Sequence, residues 1–446
     1  MTSITIQQQN LPPATPRYIL RGHVSAIQAL DFFASNTRLI SADADGWVII
    51  WDVVTKRARA VWKAHEGAVL EVKGYETAGQ GMRIYTHSRD HKLRVWKIQF
   101  AGEEEQLSRV LPVEKSSKDG EQAPAPEPWL LHSLPVNALN FCAFTLCFIP
   151  YSNNEKLDGG NDDDPWRNAT ESLDIAEDEG YFAVPNALNS GAIDIFHLPS
   201  ERRVSTIPAD TSVQTGMVMA VKILIDNSNT QNALVYMLSG YEDGHVMVHI
   251  SYPPSGSSTA WKWDKIYASQ PHSQPILSLD SVQAETEHIP SFFYTSSADA
   301  LIVKHPIPSM SSPPISSANT SVKNTPLKVL NTKHSGQQGL HVRGDQKLFA
   351  TAGWDARIRV YSCKTMKELA VLKWHSEGCY AVAFADILPS TSADSPSTHK
   401  DDDSSIVRSQ TSPLEIVRQQ RNEKAQQTHW LAAGSKDGKI SLWDIY

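Results

Sequence analysis

A chain of 446 residues with 49 acidic and 41 basic side chains carries a formal charge of −8, and 41% of it is hydrophobic. That balance leaves no polycation to neutralise phosphates, so direct nucleic-acid binding is not expected, and no apolar run is long enough to span a bilayer. Residues 1–15, polar and broken by prolines, lack the basic start and apolar centre of a signal peptide, so the chain is placed in the cytosol or nucleus. The sequons at Asn168 and Asn319 then count as chance matches. Cys142, Cys147, Cys363 and Cys379 form no CxxC pair and read as small buried hydrophobes in a reducing compartment, not as zinc ligands.

Residues 1–15 are read as a flexible lead and 16–446 as one domain, because repeats bury their faces against neighbours and escape the usual length rule. The first element, Pro16-Arg17-Tyr18-Ile19-Leu20, runs directly into Arg21-Gly22-His23, and at the far end Trp443-Asp444 is followed by two residues only. A Gly-His to Trp-Asp unit is one four-stranded propeller blade whose outer strand normally follows the Trp-Asp. Residues 16–21 are therefore expected to supply that strand and close the ring, leaving no naked edge.

Fixed offsets then count the blades. A turn Asp should have Ser or Thr four residues before it and Trp six after, with a His upstream; blade one has His23, Ser41, Asp45 and Trp51, and blade two has His65, Thr86, Asp90 and Trp96. Blade three is the most degenerate, with His132, Ser190-Gly191 and Phe196, yet Val136, Leu139 and Phe141 predict a proper inner strand. Blade four keeps Ser239 and Asp243 with His249 at the Trp place, and blade five keeps His272, Thr295 and Asp299 with His305 there. Blade six has His334, Thr351, Asp355 and Tyr361, and blade seven has His375, Ala433, Asp437 and Trp443. The fold expected is an all-β, seven-bladed WD40 propeller, with six blades as the alternative count. Polar inserts at about 101–128, 151–177, 305–327 and 388–427 bury too little apolar surface to offset chain entropy and are expected to be disordered. Within the last, residues 413–427 have the composition of a short amphipathic helix with Leu414 and Val417 on one side.

His, Ser and Asp in proximity invite a hydrolase reading, but a catalytic triad is needed once and this trio recurs at matching offsets. It reads as a structural network in which a buried Asp accepts from His, and His reaches Ser or Thr and Trp. His245, His249, His272 and His305 lack an acidic or Cys partner at ligand spacing, so no metal is expected. No GxxxxGK[ST], GxGxxG after a strand or HExxH occurs, and no cofactor is expected. A binding surface is the better use of the ring. The residue before each turn Asp, and the residue five after each repeat His, are free of packing duty; the first class holds Arg89, Glu242, Trp354 and Lys436, and the second Gln28, Leu70, Asn137 and Tyr380. Arg89, Trp354, Tyr380 and Lys436 are the candidate partner-binding residues, since exposed aromatics flanked by cations anchor protein interfaces. The plainer reading of Trp354 is a turn side chain lying over its own blade.

The stretches YILRGHVSAIQALDF, TRLISADADGWVIIWDVVTKR, THSRDHKLRVWKI, PWLLHSLPVNALNFC, SGYEDGHVMV and GLHVRGDQKLFATAGWDARIRVYS together resemble the fungal ASTRA-associated protein 1 family of WD-repeat proteins, related to the animal G-protein beta-subunit-like protein. The resemblance covers all seven blades. It implies a non-enzymatic scaffold subunit of the nuclear ASTRA assembly, involved in chromatin remodelling and in maturation of phosphatidylinositol-kinase-like proteins. The partners implied are a large pseudokinase, its maturation cochaperones and RuvB-like ATPases, with chromatin reached only through them and no membrane. It implies a nuclear place, with the cytoplasm as a second one, and carries over no site residue. A ubiquitin-ligase substrate receptor is a rival, but its Trp-Asp-x-Arg mark is absent: the blade ends read Trp51-Asp52-Val53-Val54 and Trp96-Lys97-Ile98-Gln99. A propeller hydrolase, the rival of a different class, would need unrepeated polar residues converging on the central channel, and no such set is read from the sequence.

Overall fold

The computed structural model describes residues 14–77, 81–99, 103–114, 126–137, 142–149, 179–226, 234–252, 261–282, 290–309, 322–389 and 413–445. Strand β1 (Tyr18–Arg21) comes first. Blade one follows as β2 (Ile27–Phe33), β3 (Arg38–Asp43), β4 (Trp47–Asp52) and β5 (Arg57–Lys63). Blade two is β6 (Val69–Thr77), β7 (Gly81–Ser88), β8 (Lys92–Ile98) and, after helix α1 (Glu103–Gln106), β9 (Trp129–Pro135). Blade three is β10 (Thr145–Phe148), β11 (Gly180–Pro185), β12 (Ile193–Leu198) and β13 (Arg202–Ile207). Blade four is β14 (Val218–Asp226), β15 (Leu234–Tyr241), β16 (Val246–Tyr252) and β17 (Lys262–Ser269). Blade five is β18 (Ile276–Asp280), β19 (Phe292–Ser297), β20 (Leu301–Pro306) and β21 (Lys328–Asn331). Blade six is β22 (Gln337–Val342), β23 (Leu348–Gly353), β24 (Arg357–Ser362) and β25 (Glu368–Lys373). Blade seven holds β26 (Cys379–Phe384), helix α2 (Pro413–Gln427), β27 (Trp430–Ser435) and β28 (Lys439–Asp444).

Each blade is a four-stranded antiparallel sheet, and the seventh is completed by β1 in the order β1-β28-β27-β26. Tyr18 lies opposite Leu442 and Leu20 opposite Ile440; Leu20 is buried in the core, and Tyr18, at the start of the strand, is exposed. The Arg17 amide adds a bond to the Leu442 carbonyl at 2.7 Å, and its guanidinium reaches Asp444 at 3.4 Å. The ring of seven blades is thus closed by the N-terminal strand, as expected.

The core lies between blades. Ile27 and Leu30 of blade one share a cluster with Ala432, Ile440 and Leu442 of blade seven, and Phe33 and Trp62 share another with Val72, Ile84 and Trp96 of blade two. Trp62 and Trp96 meet edge-on, ring centres 5.9 Å apart. The alternation along inner strands produces this, because each sheet offers one face to each neighbour. The four cysteines are buried and none of them forms a disulfide.

At the turns the blades interlock through glycine. Gly46 (φ +89°), Gly244 (φ +88°) and Gly438 (φ +71°) follow the turn Asp, and at each a Cβ would run into the carbonyl of the next blade's repeat His: His65, His272 and His23. Gly46→Ala is expected to cost about 2 kcal/mol or more, from left-handed strain plus the clash. Thermal unfolding checks it; an unchanged melting temperature would remove the turn from the blade interface.

Two expectations need correction. First, the inner strand of blade three is Thr145–Phe148, not the stretch around Val136, Leu139 and Phe141; Val136 is buried beyond the strand end, and Leu139 and Phe141 lie outside the described residues. The cause is β9: the chain through His132 pairs with β8 as the outer strand of blade two, so the next inner strand starts later. Second, described parts of the inserts are ordered. Leu107 is buried in the Trp62–Trp96 cluster, Arg38 grips Glu104 with two bonds of 2.9 and 3.0 Å, and the Val61 amide bonds to the Ser108 carbonyl at 2.8 Å. Lys323 lies parallel beside Tyr267 at the outer edge of blade four. Helix α2 spans Pro413–Gln427 as read, with Leu414, Ile416 and Val417 exposed as on a solvated helix, and it is held at its other end, where Ala425 is buried and its carbonyl accepts the Trp430 indole N–H at 2.9 Å. Residues 1–13 and 151–177 lie outside the described residues.

Candidate functional site

The repeat network ties each blade's loop to its strands. In blade two, His65 Nδ1 lies 3.1 Å from Asp90, its Nε2 2.8 Å from the Thr86 hydroxyl, and the Trp96 indole N–H donates to that hydroxyl at 3.0 Å. A carboxylate only accepts, so Nδ1 carries the proton and Nε2 accepts from Thr86. Burial pulls at Asp90 in the opposite sense, but the His65 hydrogen bond and its other partners hold it down at about 2. Blade five continues the relay through histidine: Tyr267 donates to His305 Nδ1 at 2.8 Å, His305 Nε2 to Thr295 at 2.9 Å, Thr295 to His272 at 2.9 Å, and His272 to Asp299 at 3.1 Å.

Elsewhere the structure replaces members of the trio. In blade one, Trp51 and His23 both meet Ser41, at 2.8 and 2.7 Å, but His23 Nδ1 bonds Asp43 at 2.7 Å while Asp45 is exposed. Positions two apart on a strand share a face, and Asp43 stands nearer the His. In blade six, His334 is half-exposed and 3.6 Å from Asp355, so Gln337 takes its place and accepts from Thr351 at 2.7 Å; Asp355 is gripped by Arg359 at 2.6 Å. In blade seven, the hydroxyl missing at Ala433 is supplied by Ser441, directly opposite it across the sheet, which meets both His375 and Trp443 at 2.8 Å. There His375 Nδ1 is 3.7 Å from Asp437, beyond hydrogen-bond reach. In blade three, His132 lies in β9 and contacts Glu201, outside any network. Asn137 stands in the His place: it is buried and donates to the Asn186 carbonyl at 2.6 Å, so it is no surface residue. Among the described residues no cluster of His, Cys, Asp or Glu is arranged to hold a metal ion.

The channel holds what was missed. The fifth residue of five inner strands is polar: Asp31, Lys73, Lys222, Asp280 and His341, all lining a central channel of about 640 Å³. Asp31 takes Lys73 at 3.0 Å and the Gly74 amide at 3.0 Å, clamping blade one to blade two. Asp280 takes Lys222 at 3.0 Å and the Val342 amide at 2.8 Å, clamping blades four, five and six, and the Phe384 amide donates to His341 Nδ1 at 3.2 Å. Burial alone would lower Lys73, but the Asp31 and Glu71 carboxylates raise it far above its ordinary range. Burial would raise Asp280, but the Lys222 ammonium leads the groups that lower it. Burial raises Glu71 and lowers His341. The sequence signal was there, since Asp31, Lys73 and Asp280 each lie eight residues after a repeat His and directly after an apolar residue. A set of polar side chains does converge on the channel, contrary to the sequence reading; both carboxylates of the two clamps have both oxygens engaged, which makes them bridges between blades.

Around the mouth stand the second residues of the inner strands, Gln28, Leu70, Met219, Leu277, Gln338 and Tyr380, with Arg89 beside them. Trp354 lies over Gly336 of its own blade (φ +71°), where a Cβ would enter the indole ring, and donates its N–H to Gln338 at 2.7 Å. It is still 48% exposed. Gly378 gathers this cluster: a Cβ on it would touch Tyr380 at 3.1 Å and the Trp354 backbone at 3.2 Å, and its carbonyl accepts the Lys436 amide at 2.9 Å. The structure thus brings Trp354, Tyr380 and Lys436 together on blades six and seven, with Arg89 at the same mouth. Such a surface can stack on and hydrogen-bond to another protein, with the ring holding the side chains in place.

A family model described as ASTRA-associated protein 1 matches residues 16–443. The chain is 52% identical to the ASTRA-associated protein 1 of Aspergillus flavus over 98% of both chains, and 50% identical to that of Penicillium rubens over the whole of both. The Schizosaccharomyces pombe protein of that name is 32% identical, with 83% of this chain and 93% of the yeast protein aligned.

Proposed function

Because the chain belongs to the ASTRA-associated protein 1 family, we propose that it is a non-catalytic scaffold subunit of an ASTRA-type assembly, working in the nucleus in chromatin remodelling and in maturation of phosphatidylinositol-kinase-like proteins. Its partners are the large pseudokinase, the maturation cochaperones and the RuvB-like ATPases, and it meets chromatin through them. The observation that carries this reading is the channel mouth, where a closed ring presents Tyr380 and Arg89, with the exposed Trp354 and Lys436 meeting Gly378 beside Tyr380. A preformed surface loses little freedom on binding, which favours a scaffold that collects several proteins.

The double variant Trp354→Ala/Tyr380→Ala tests it. Removal of two aromatic anchors is expected to reduce recovery of these partners in affinity purification at least tenfold, a loss of about 1.4 kcal/mol or more, while the variant keeps its melting temperature. Undiminished recovery of every partner discards the mouth as the docking surface.

A further inference from the structure

We propose that the outer wall between blades seven and one is a second binding site, which takes an extended acidic peptide with apolar residues at alternate positions. The site is a groove of about 610 Å³ between β1, the outermost strand of blade seven, and β5, the outermost strand of blade one. It shares no lining residue with the channel. Its floor is apolar, built from Leu20, Trp51 and Leu111. Leu111 belongs to the insert, which is pinned across the groove by the Val113 amide on the Gly22 carbonyl at 3.1 Å; a Cβ on Gly22 would lie 2.8 Å from both Leu111 and Trp51.

The rim has the opposite sign to the rest of the molecule. The chain carries −8, yet Arg21, Lys56, Arg57, Arg59 and Arg109 line this groove against the single carboxylate of Glu114. Two of the five cations are engaged: Arg59 holds Asp52 at 2.6 Å, and Lys56 lies 4.2 Å over the Trp430 ring, where burial lowers it to about 8. Arg21, Arg57 and Arg109 are exposed and have no ion pair among the described residues. Three unpaired guanidiniums around an apolar floor are complementary to carboxylates flanking apolar side chains.

Backbone geometry selects the extended form. β1 and β5 each end their sheet, so each has an edge with no ladder partner among the described strands. The outer edge of blade four does accept an added extended residue: Lys323 lies parallel to Tyr267, its carbonyl taking the Ala268 amide at 2.9 Å and its own amide donating to the Ile266 carbonyl at 3.2 Å. In an extended peptide alternate side chains point opposite ways, so one set enters the floor while the acidic set meets the arginines.

The test uses the full chain and a fluorescein-labelled octapeptide pool with Asp or Glu at odd positions and Leu, Ile, Val or Phe at even ones, read by fluorescence anisotropy. Saturable binding tighter than about 0.1 mM is expected at low salt, weakening as salt rises. Arg57→Glu/Arg109→Glu is expected to weaken it at least about tenfold without moving the melting temperature, since both side chains are exposed. Trp354→Ala leaves it unchanged, which separates this site from the channel mouth. Absence of saturable binding, equal binding by the arginine variant, or equal binding of a pool with Lys in place of the acids overturns the proposal. Binding that emerges only after deletion of residues 390–410, which carry Asp401-Asp402-Asp403, overturns it too, by giving the groove to the chain's own acidic run.

Discussion

Asp280→Ala is expected to destabilise the ring by about 2–3 kcal/mol, because it leaves the Val342 amide without its acceptor and the part-exposed Lys222 ammonium without its partner. The carboxylate joins Lys222 of blade four to the Val342 amide of blade six from its own place on blade five, so its loss strands an ammonium and an amide together. Differential scanning calorimetry should record a melting temperature lower by roughly 2–3 °C, since a ring of this size shifts by only about 1 °C per kcal/mol. Lys222→Ala on top of Asp280→Ala should restore part of the loss, since the pair couples by about 1–3 kcal/mol. A melting temperature unchanged in the single variant would show that the channel ring holds nothing together.

Mild acid should weaken the protein well above the range in which its lowered carboxyls are protonated. His87 is fully buried with neither ring nitrogen hydrogen-bonded, and burial lowers it to about 3; burial likewise lowers His249 to about 4 and His305 well below its ordinary value. His65 and His375 are shifted the same way by the same cause. For a base whose folded value is depressed, the unfolded chain binds the extra proton, so stability rises with pH. The loss therefore starts as pH falls through about 6.5, and at one unit below it each strongly depressed histidine costs about 1.4 kcal/mol. The lowered carboxyls, Asp90 and Asp280 among them, act in a separate window, below the ordinary carboxylate range. Melting temperatures recorded between about pH 8 and pH 5.5 should be flat at first and then fall steeply. His87→Leu removes one site of proton uptake and an unsatisfied polar ring, so it should raise the melting temperature more in acid than at neutrality. A flat profile down to about pH 5 would mean these histidines are not held neutral.

Blades one, two and five were legible because the offsets between His, hydroxyl and aromatic are imposed by strand pairing, and pairing conserves length. Where the network survived by substitution, the offsets misled. Ser441 lies across the sheet from Ala433, a relation that follows the ladder and not the chain. Gln337 sits three residues after His334 and does its work with an amide. His132 had the right type in the wrong register, and it displaced the inner strand of blade three by a whole segment; Asn137, two residues past the end of β9 as His65 is past the end of β5, held the place. Of the second residues of the inner strands at the mouth, the offset from the repeat His named Gln28, Leu70 and Tyr380 and missed Met219, Leu277 and Gln338, while Asn137 proved buried. The charged ring was passed over because its members differ in sign from blade to blade, so no repeat of type marks them. In the insert, Leu107 and Leu111 were two apolar residues within a polar composition, and only the neighbouring Trp62, Trp96 and Gly22 give them somewhere to go.

Protein synthesis runs from the first residue to the last, which gives the pairing of Tyr18 with Leu442 a temporal meaning. The strand that emerges earliest waits longest for its partner, and six blades are complete in sequence before the seventh can be. Until then blade one shows an open flank to blade seven, where Ile27 and Leu30 have nothing to cover them. A stalled or shortened chain thus displays an oily wall and a solitary strand together, a mark by which a folding helper can tell unfinished molecules from finished ones.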